Sequence, residues 1–91
     1  AALEALGRGL ALELASSKVR VNTVSPGLIA TPLWDGVEQS ARQSMYEKAA
    51  SSLPARTLGL PAHVAEAILF VAGNPYATGS TVLIDGGGAI A

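Results

Sequence analysis

Few side chains in this chain can move a proton, attack a carbonyl or hold a metal, and their spacing defeats most combinations. Tyr46 and Lys48 stand two apart. On a helix two residues turn the chain by about 200°, so this pair cannot share a face. Tyr76 has no lysine after it. His63 is the single histidine, with no second ligand at metal spacing. It reads as a surface residue in the first turn of a helix, and no Ser-His-Asp set can be built without forcing it in. Gly7-Arg8-Gly9 has half of a dinucleotide fingerprint but lies inside a helix with no strand before it. Gly86-Gly87-Gly88 has no helix N-terminus after it and reads as a turn. We expect no catalytic residue and no metal ligand in this chain.

One stretch has binding chemistry. Residues 19–33 read VRVNTVSPGLIATPL. A β-branched run ends at Pro26-Gly27, because proline cannot continue a central ladder and glycine frees the backbone. In open α/β sheets, ligands bind at the carboxyl ends of strands. Residues 25–31 therefore offer backbone N–H and C=O groups, apolar walls from Leu28 and Ile29, and the Thr31 hydroxyl. Such a set holds a planar amide or a phosphate and performs no acid–base work. Asn22, inside the strand, is expected to be a hydrogen-bonded structural residue.

The supporting elements follow from periodicity. Residues 1–16 predict a helix with Leu3, Leu6, Leu10 and Leu14 in one stripe and Ala1, Ala5, Gly9 and Leu12 on a second face. Two apolar faces predict a helix held between a sheet and another helix, with Gly7 and Gly9 there for close packing. No cap precedes it, so the chain reads as starting inside or just before a helix. Val19, Val21, Thr23 and Val24 predict the first strand. Asp35-Gly36-Val37-Glu38 has capping-box spacing and predicts the start of an exposed, lid-like second helix. Pro61 opens a third helix with Val64, Ala67, Ile68 and Val71 on one face, ended by Gly73-Asn74-Pro75. Residues 78–85 predict a second strand. Strands separated by helices predict a parallel α/β sheet.

Composition excludes several classes. The 91 residues are 49% hydrophobic and 14% charged, with net charge −1 and no cysteine. That leaves no basic footprint for nucleic acid and no disulfide or thiolate site. No apolar run approaches the roughly 18 residues of a membrane span. We expect no nucleic-acid or membrane partner, and a cytoplasmic location.

At this point the residues resemble a family. R-V-N-T-V-S-P-G-L-I-A-T-P (20–32) resembles the N-x-V-x-P-G-x-I-x-T segment of the short-chain dehydrogenases/reductases, and A-T-G-S-T-V-L-I-D-G-G (77–87) is similar to their T-G-x-x-x-x-x-D-G-G end. L-G-L-P-A-H-V-A-E-A-I-L-F-V-A (58–72) resembles their G-x-P-x-x-V-A helix, and residues 1–15 the helix that follows the catalytic Y-x-x-x-K motif. That motif, the glycine-rich loop, and the catalytic serine and asparagine have no counterpart here.

The resemblance implies that residues 1–91 are the C-terminal fragment of a single doubly wound, Rossmann-like domain. It implies an oxidoreductase that transfers a hydride between NAD or NADP and an alcohol or carbonyl substrate. Pro26, Gly27, Ile29 and Thr31 would bind the cofactor, Leu33 and Trp34 the substrate, and the intact protein would be a homo-oligomer, dimer or tetramer. The 91 residues alone would be inactive. The alternatives are a non-catalytic fragment or interaction module of that fold, and the enoyl-reductase branch, against which Ser25-Pro26-Gly27 argues in favour of the classical type.

Overall fold

The computed structural model describes residues 2–30 and 36–91. Helix α1 spans Ala2–Glu13, and a 3-10 turn at Ala15–Ser17 follows it. Lys18, at φ 58°, reverses the chain there, and its amide donates to the Ala15 carbonyl. Strand β1 is Thr23–Pro26, helix α2 is Gln39–Ser52, helix α3 is Pro61–Gly73, and strand β2 is Thr81–Ile84. A 3-10 turn at Gly88–Ile90 closes the chain.

The two strands pair in parallel, with Thr23 opposite Thr81 and Pro26 opposite Ile84. The sequence predicted the order and the parallel sense. β1 starts later than its β-branched run, because residues 20–22 are stitched to the turn before β2 instead of to a strand. Val21 N donates to Thr78 Oγ1 (3.2 Å) and Gly79 N to Val21 O (2.7 Å). Asn22 Nδ2 donates to Ala77 O (2.8 Å), while its Oδ1 accepts from Ser80 N (3.2 Å). Asn22 is the structural residue expected. Together these bonds fix the register, since a slip by one residue would turn every side chain to the other face.

Pro26 lies within β1 rather than beyond it. Thr23 N donates to Ser80 O and Gly27 N to Ile84 O, so odd-numbered residues face β2. In a parallel ladder the residues between them point their backbone groups away. Pro26 occupies such a position, and its missing N–H costs β2 nothing.

The helices cover opposite faces of this small sheet. Side chains alternate along a strand. Thr23 faces α1, where a Cβ on Gly7 would lie 2.6 Å from its Oγ1. Val24 instead lines a groove with Ile68 and Val71 of α3. α1 meets the sheet most closely along Gly7 and Ala11, which are buried, at the edge of its leucine stripe, and Leu3, Leu6 and Leu10 line a groove with residues 21–24. Leu3 and Leu6 are exposed, Leu10 and Leu14 half-buried, and Leu12 is 81% exposed. Gly7 is required by close packing, but Gly9 faces open space. On α3, Val64, Ala67 and Val71 turn inward, and Ile68 sits half exposed at the edge of that face.

α2 is capped by Glu38, whose carboxylate accepts from the Ser40 hydroxyl and from Ala41 N (3.0 Å). The capping box had Asp35 as the cap, a residue outside those described. α2 buries none of its residues, as expected of an exposed helix. Only Ala11 and Val71 among the described apolar residues are buried. The accessible surface is 6286 Å², against about 4,900 Å² for a closed monomer of this mass. Two strands and three helices do not enclose a core by themselves.

Candidate functional site

The carboxyl ends of β1 and β2 lie side by side, and the chain leaves β1 there through Gly27. Glycine is required at this point. A Cβ would lie 2.8 Å from both Cα and Cβ of Asp85. The Gly27 amide is committed to Ile84 O (2.8 Å), so it has no donor to give a ligand. Pro26 has none either.

The next residues are tied to the segment before α3. Ile29 bridges to Gly59 in parallel sense, and Ala30 N donates to Gly59 O (2.9 Å). Gly59 has no room for a side chain, since a Cβ would stand 2.5 Å from Ile29 Cδ1 and 3.2 Å from Leu28 O. Gly59 is held in turn by the start of α3. Leu60 takes an extended conformation (φ −113°, ψ 154°), and Pro61 opens the helix. His63 Nδ1 accepts from Leu60 N (2.9 Å), and His63 N donates to the Leu60 carbonyl (2.9 Å). Leucine has no side-chain acceptor, so the imidazole makes the only side-chain half of this cap. His63 is exposed, as expected, but it is not idle.

Beneath this loop is an apolar cavity of about 140 Å³, lined by Leu28, Ile29, Leu53, Leu58 and Ile84, with Asp85 and His63 at its margin. The triple glycine is a turn, as its sequence predicted. Asp85 accepts from Gly87 N (2.9 Å) and Ala89 N (2.8 Å). Gly86 and Gly87 adopt φ 64° and 88°. These donors serve Asp85 and are not available to a phosphate.

Of the expected binding residues, Pro26, Gly27 and Ile29 come together at the strand end. Thr31, Leu33 and Trp34 lie outside the described residues. The Leu28 amide donates to no acceptor among the described residues. One backbone donor, backbone carbonyls and apolar walls fit an uncharged planar amide, such as the carboxamide of a nicotinamide. The described loop has no charged group for a pyrophosphate. Among the described residues no three His, Cys, Asp or Glu side chains gather as a metal site. Glu38 is the carboxylate of note, held below its ordinary range by the Ser40 hydroxyl first, then by backbone amides.

Sequence reasoning missed Arg20, Gly59 and the capping role of His63. Arg20 Nη1 donates to Val71 O (2.7 Å) and Ala77 O (3.0 Å), and Nη2 to Ala72 O (2.7 Å). It supplies donors to the last carbonyls of α3, which every helix leaves unanswered. Pro75 was a signal for this, because it has no N–H to offer Val71 O.

Comparison with known proteins matches the arrangement. A family model described as enoyl-(acyl carrier protein) reductase matches residues 1–89. Carbonyl reductase family member 4 of Danio rerio is 44% identical over 87 residues, which cover 96% of this chain and 34% of that protein. The 3-oxoacyl-[acyl-carrier-protein] reductase FabG of Thermotoga maritima is 43% identical, over 85% of this chain and 30% of its own length. The chain belongs to the short-chain dehydrogenase/reductase family. Solved members of the family share its α/β fold. A small-chain dehydrogenase in complex with NADPH superposes with a TM-score of 0.85 at 41% identity, covering 94% of this chain and 38% of the other. A short-chain dehydrogenase/reductase from Caenorhabditis elegans with cofactor gives 0.88 at 35% identity, covering 98% and 36%. The chain thus spans about a third of the length of the relatives it matches. The family model's description names the branch that Ser25-Pro26-Gly27 argued against, whereas the relatives carry carbonyl and 3-oxoacyl reductase names.

Proposed function

We propose that this chain is the C-terminal part of a single Rossmann-like domain in an NAD- or NADP-dependent oxidoreductase. That enzyme transfers a hydride between the nicotinamide and an alcohol or carbonyl substrate. The carrying observation is the end of β1, where Pro26 and Gly27 open a loop with one spare donor and apolar walls. The NADPH complex among the similar structures supports the cofactor class.

In this reading residues 26–30 are the nicotinamide wall. Gly27 contributes its carbonyl and its lack of a side chain, because its amide is committed to β2. Ile29 contributes backbone and an apolar surface. Thr31 donates its hydroxyl to the carboxamide or a phosphate. Leu33, Trp34 and α2 form the substrate lid. The exposed leucines of α1, together with Leu69 and Phe70 of α3, form the surface of a homo-oligomer. No described helix is long and apolar enough to cross a membrane, and we assign the enzyme to the cytoplasm. The proton-transferring groups lie outside these 91 residues, since no tyrosine here has a lysine four residues on. The matched family model favours one second reading, an enoyl reductase of the same fold.

The test is a fluorescence titration of NADH and NADPH into the protein expressed from its full reading frame, followed by turnover with carbonyl and enoyl thioester substrates. We expect saturable binding and turnover, and neither from the isolated 91-residue chain of confirmed mass. Absence of nicotinamide binding by the full protein, or turnover by the isolated chain, refutes the reading.

A further inference from the structure

We propose that His63 is a positioning residue for the loop over residues 28–30, with its neutral imidazole as the working form. The link to cofactor binding rests on the reading of that loop as a nicotinamide wall. Three contacts link the imidazole to the loop. His63 Nδ1 accepts the Leu60 amide (2.9 Å), which fixes the residue before the first turn of α3. Leu60 is the chain neighbour of Gly59, and Gly59 O accepts the Ala30 amide (2.9 Å). Gly59 also packs against Ile29 and Leu28 O with no more than the space a missing side chain leaves, since a Cβ there would meet Ile29 Cδ1 at 2.5 Å. The imidazole thus sets the loop without touching anything the loop would bind.

A helix start of this kind is ordinarily closed by a glutamate or glutamine at the third helical position. Those side chains accept a hydrogen bond in the neutral range and above. Histidine accepts at Nδ1 only while that nitrogen is unprotonated. A proton on Nδ1 turns this acceptor into a donor facing another donor, so the Leu60 amide loses its partner. The new positive charge also sits at the positive end of the α3 dipole. The charged groups around His63 are Asp85 across the cavity, Glu66 one turn along α3, and Arg56 in the preceding loop. The Asp85 carboxylate is engaged by Gly87 N and Ala89 N, and Arg56 donates to the Ser51 carbonyl. Neither replaces the imidazole at Leu60.

The test uses the protein expressed from its full reading frame, with amide exchange followed by NMR. The Ala30 amide reports the loop, and the Gly27 amide, bonded to Ile84 O, reports the sheet. His63→Ala is expected to lower Ala30 protection by up to about fivefold, the worth of one cap, with Gly27 unchanged. His63→Gln restores it. NADPH affinity on the same samples follows the same order. Equal Ala30 protection in all three proteins, or NADPH affinity that ignores the substitutions, overturns the proposal. A protein that binds neither NADH nor NADPH refutes the nicotinamide wall itself, and the Ala30 measurements then still decide whether His63 sets the loop.

Discussion

Replacing Arg20 by methionine keeps much of the aliphatic stem and removes three hydrogen bonds from one charged donor. Their acceptors are Val71 O, Ala72 O and Ala77 O. The three do not fare alike. Ala77 O keeps its bond from Asn22 Nδ2, and Ala72 O sits at an exposed position where water replaces the guanidinium. Val71 O is part-buried in the last turn of α3 and loses its donor. A buried acceptor left without a partner costs about 1–3 kcal/mol, and the charge-assisted bonds add to this. We expect a total of about 2–3 kcal/mol. Arg20→Lys, whose compact ammonium lacks the spread fork that reaches all three carbonyls, should lose about half of that. Urea unfolding of the full protein measures both, read as a shift in midpoint at constant slope. A methionine variant within about 0.5 kcal/mol of the unsubstituted protein, the usual range for an unremarkable surface change, would refute the clamp.

Three further outcomes follow from the geometry. Gly27→Ala drives a Cβ against the Asp85 backbone at 2.8 Å, where nothing flexible can yield, and should cost about 1–3 kcal/mol by thermal or urea unfolding; stability equal to glycine would show that the strand ends can part freely. Glu38 has a carboxyl pKa lowered chiefly by the Ser40 hydroxyl, so its cap is in full force above the unfolded carboxylate value and is lost as pH falls through the folded one. The Ala41 amide should therefore lose protection, measured against its intrinsic exchange rate, on acidification, and Glu38→Gln should flatten that response. Thr31→Ala should weaken nicotinamide binding by about 1 kcal/mol, one hydrogen bond, in a fluorescence titration; an unchanged dissociation constant counts against the hydroxyl's role.

What the sequence made legible was periodic or punctuated. Pro61 and Gly73-Asn74-Pro75 bracketed α3 almost to the residue, because proline and glycine act on the backbone locally. The parallel pairing followed from the alternation of strands and helices. On α1 the leucine stripe marked the side that turns to the sheet but not the point of closest contact. Gly7 against Thr23 allows the nearest approach. The start of β1 was placed early because Val19 and Val21 have strand character whether or not a partner strand lies beside them. Arg20, Gly59 and His63 were missed for one shared reason. Each acts on a backbone group 3 to 57 residues away in sequence; Pro75 marks the Val71 carbonyl as short of a donor, but nothing local names the side chain that supplies one.

Pro26 has one more consequence, on the side of β1 away from β2. Val24 turns its amide towards that open edge, and Pro26, the next residue to face it, has no amide to turn. A strand laid along this edge finds a donor at Val24 and none two residues later. Such a strand could still donate to the Pro26 carbonyl but would find no donor there, while on the other side β2 pairs with β1 as far as Ile84 and Gly27. A single proline would make the outer edge of β1 a poorer partner than the inner one at the point where the chain leaves through Gly27.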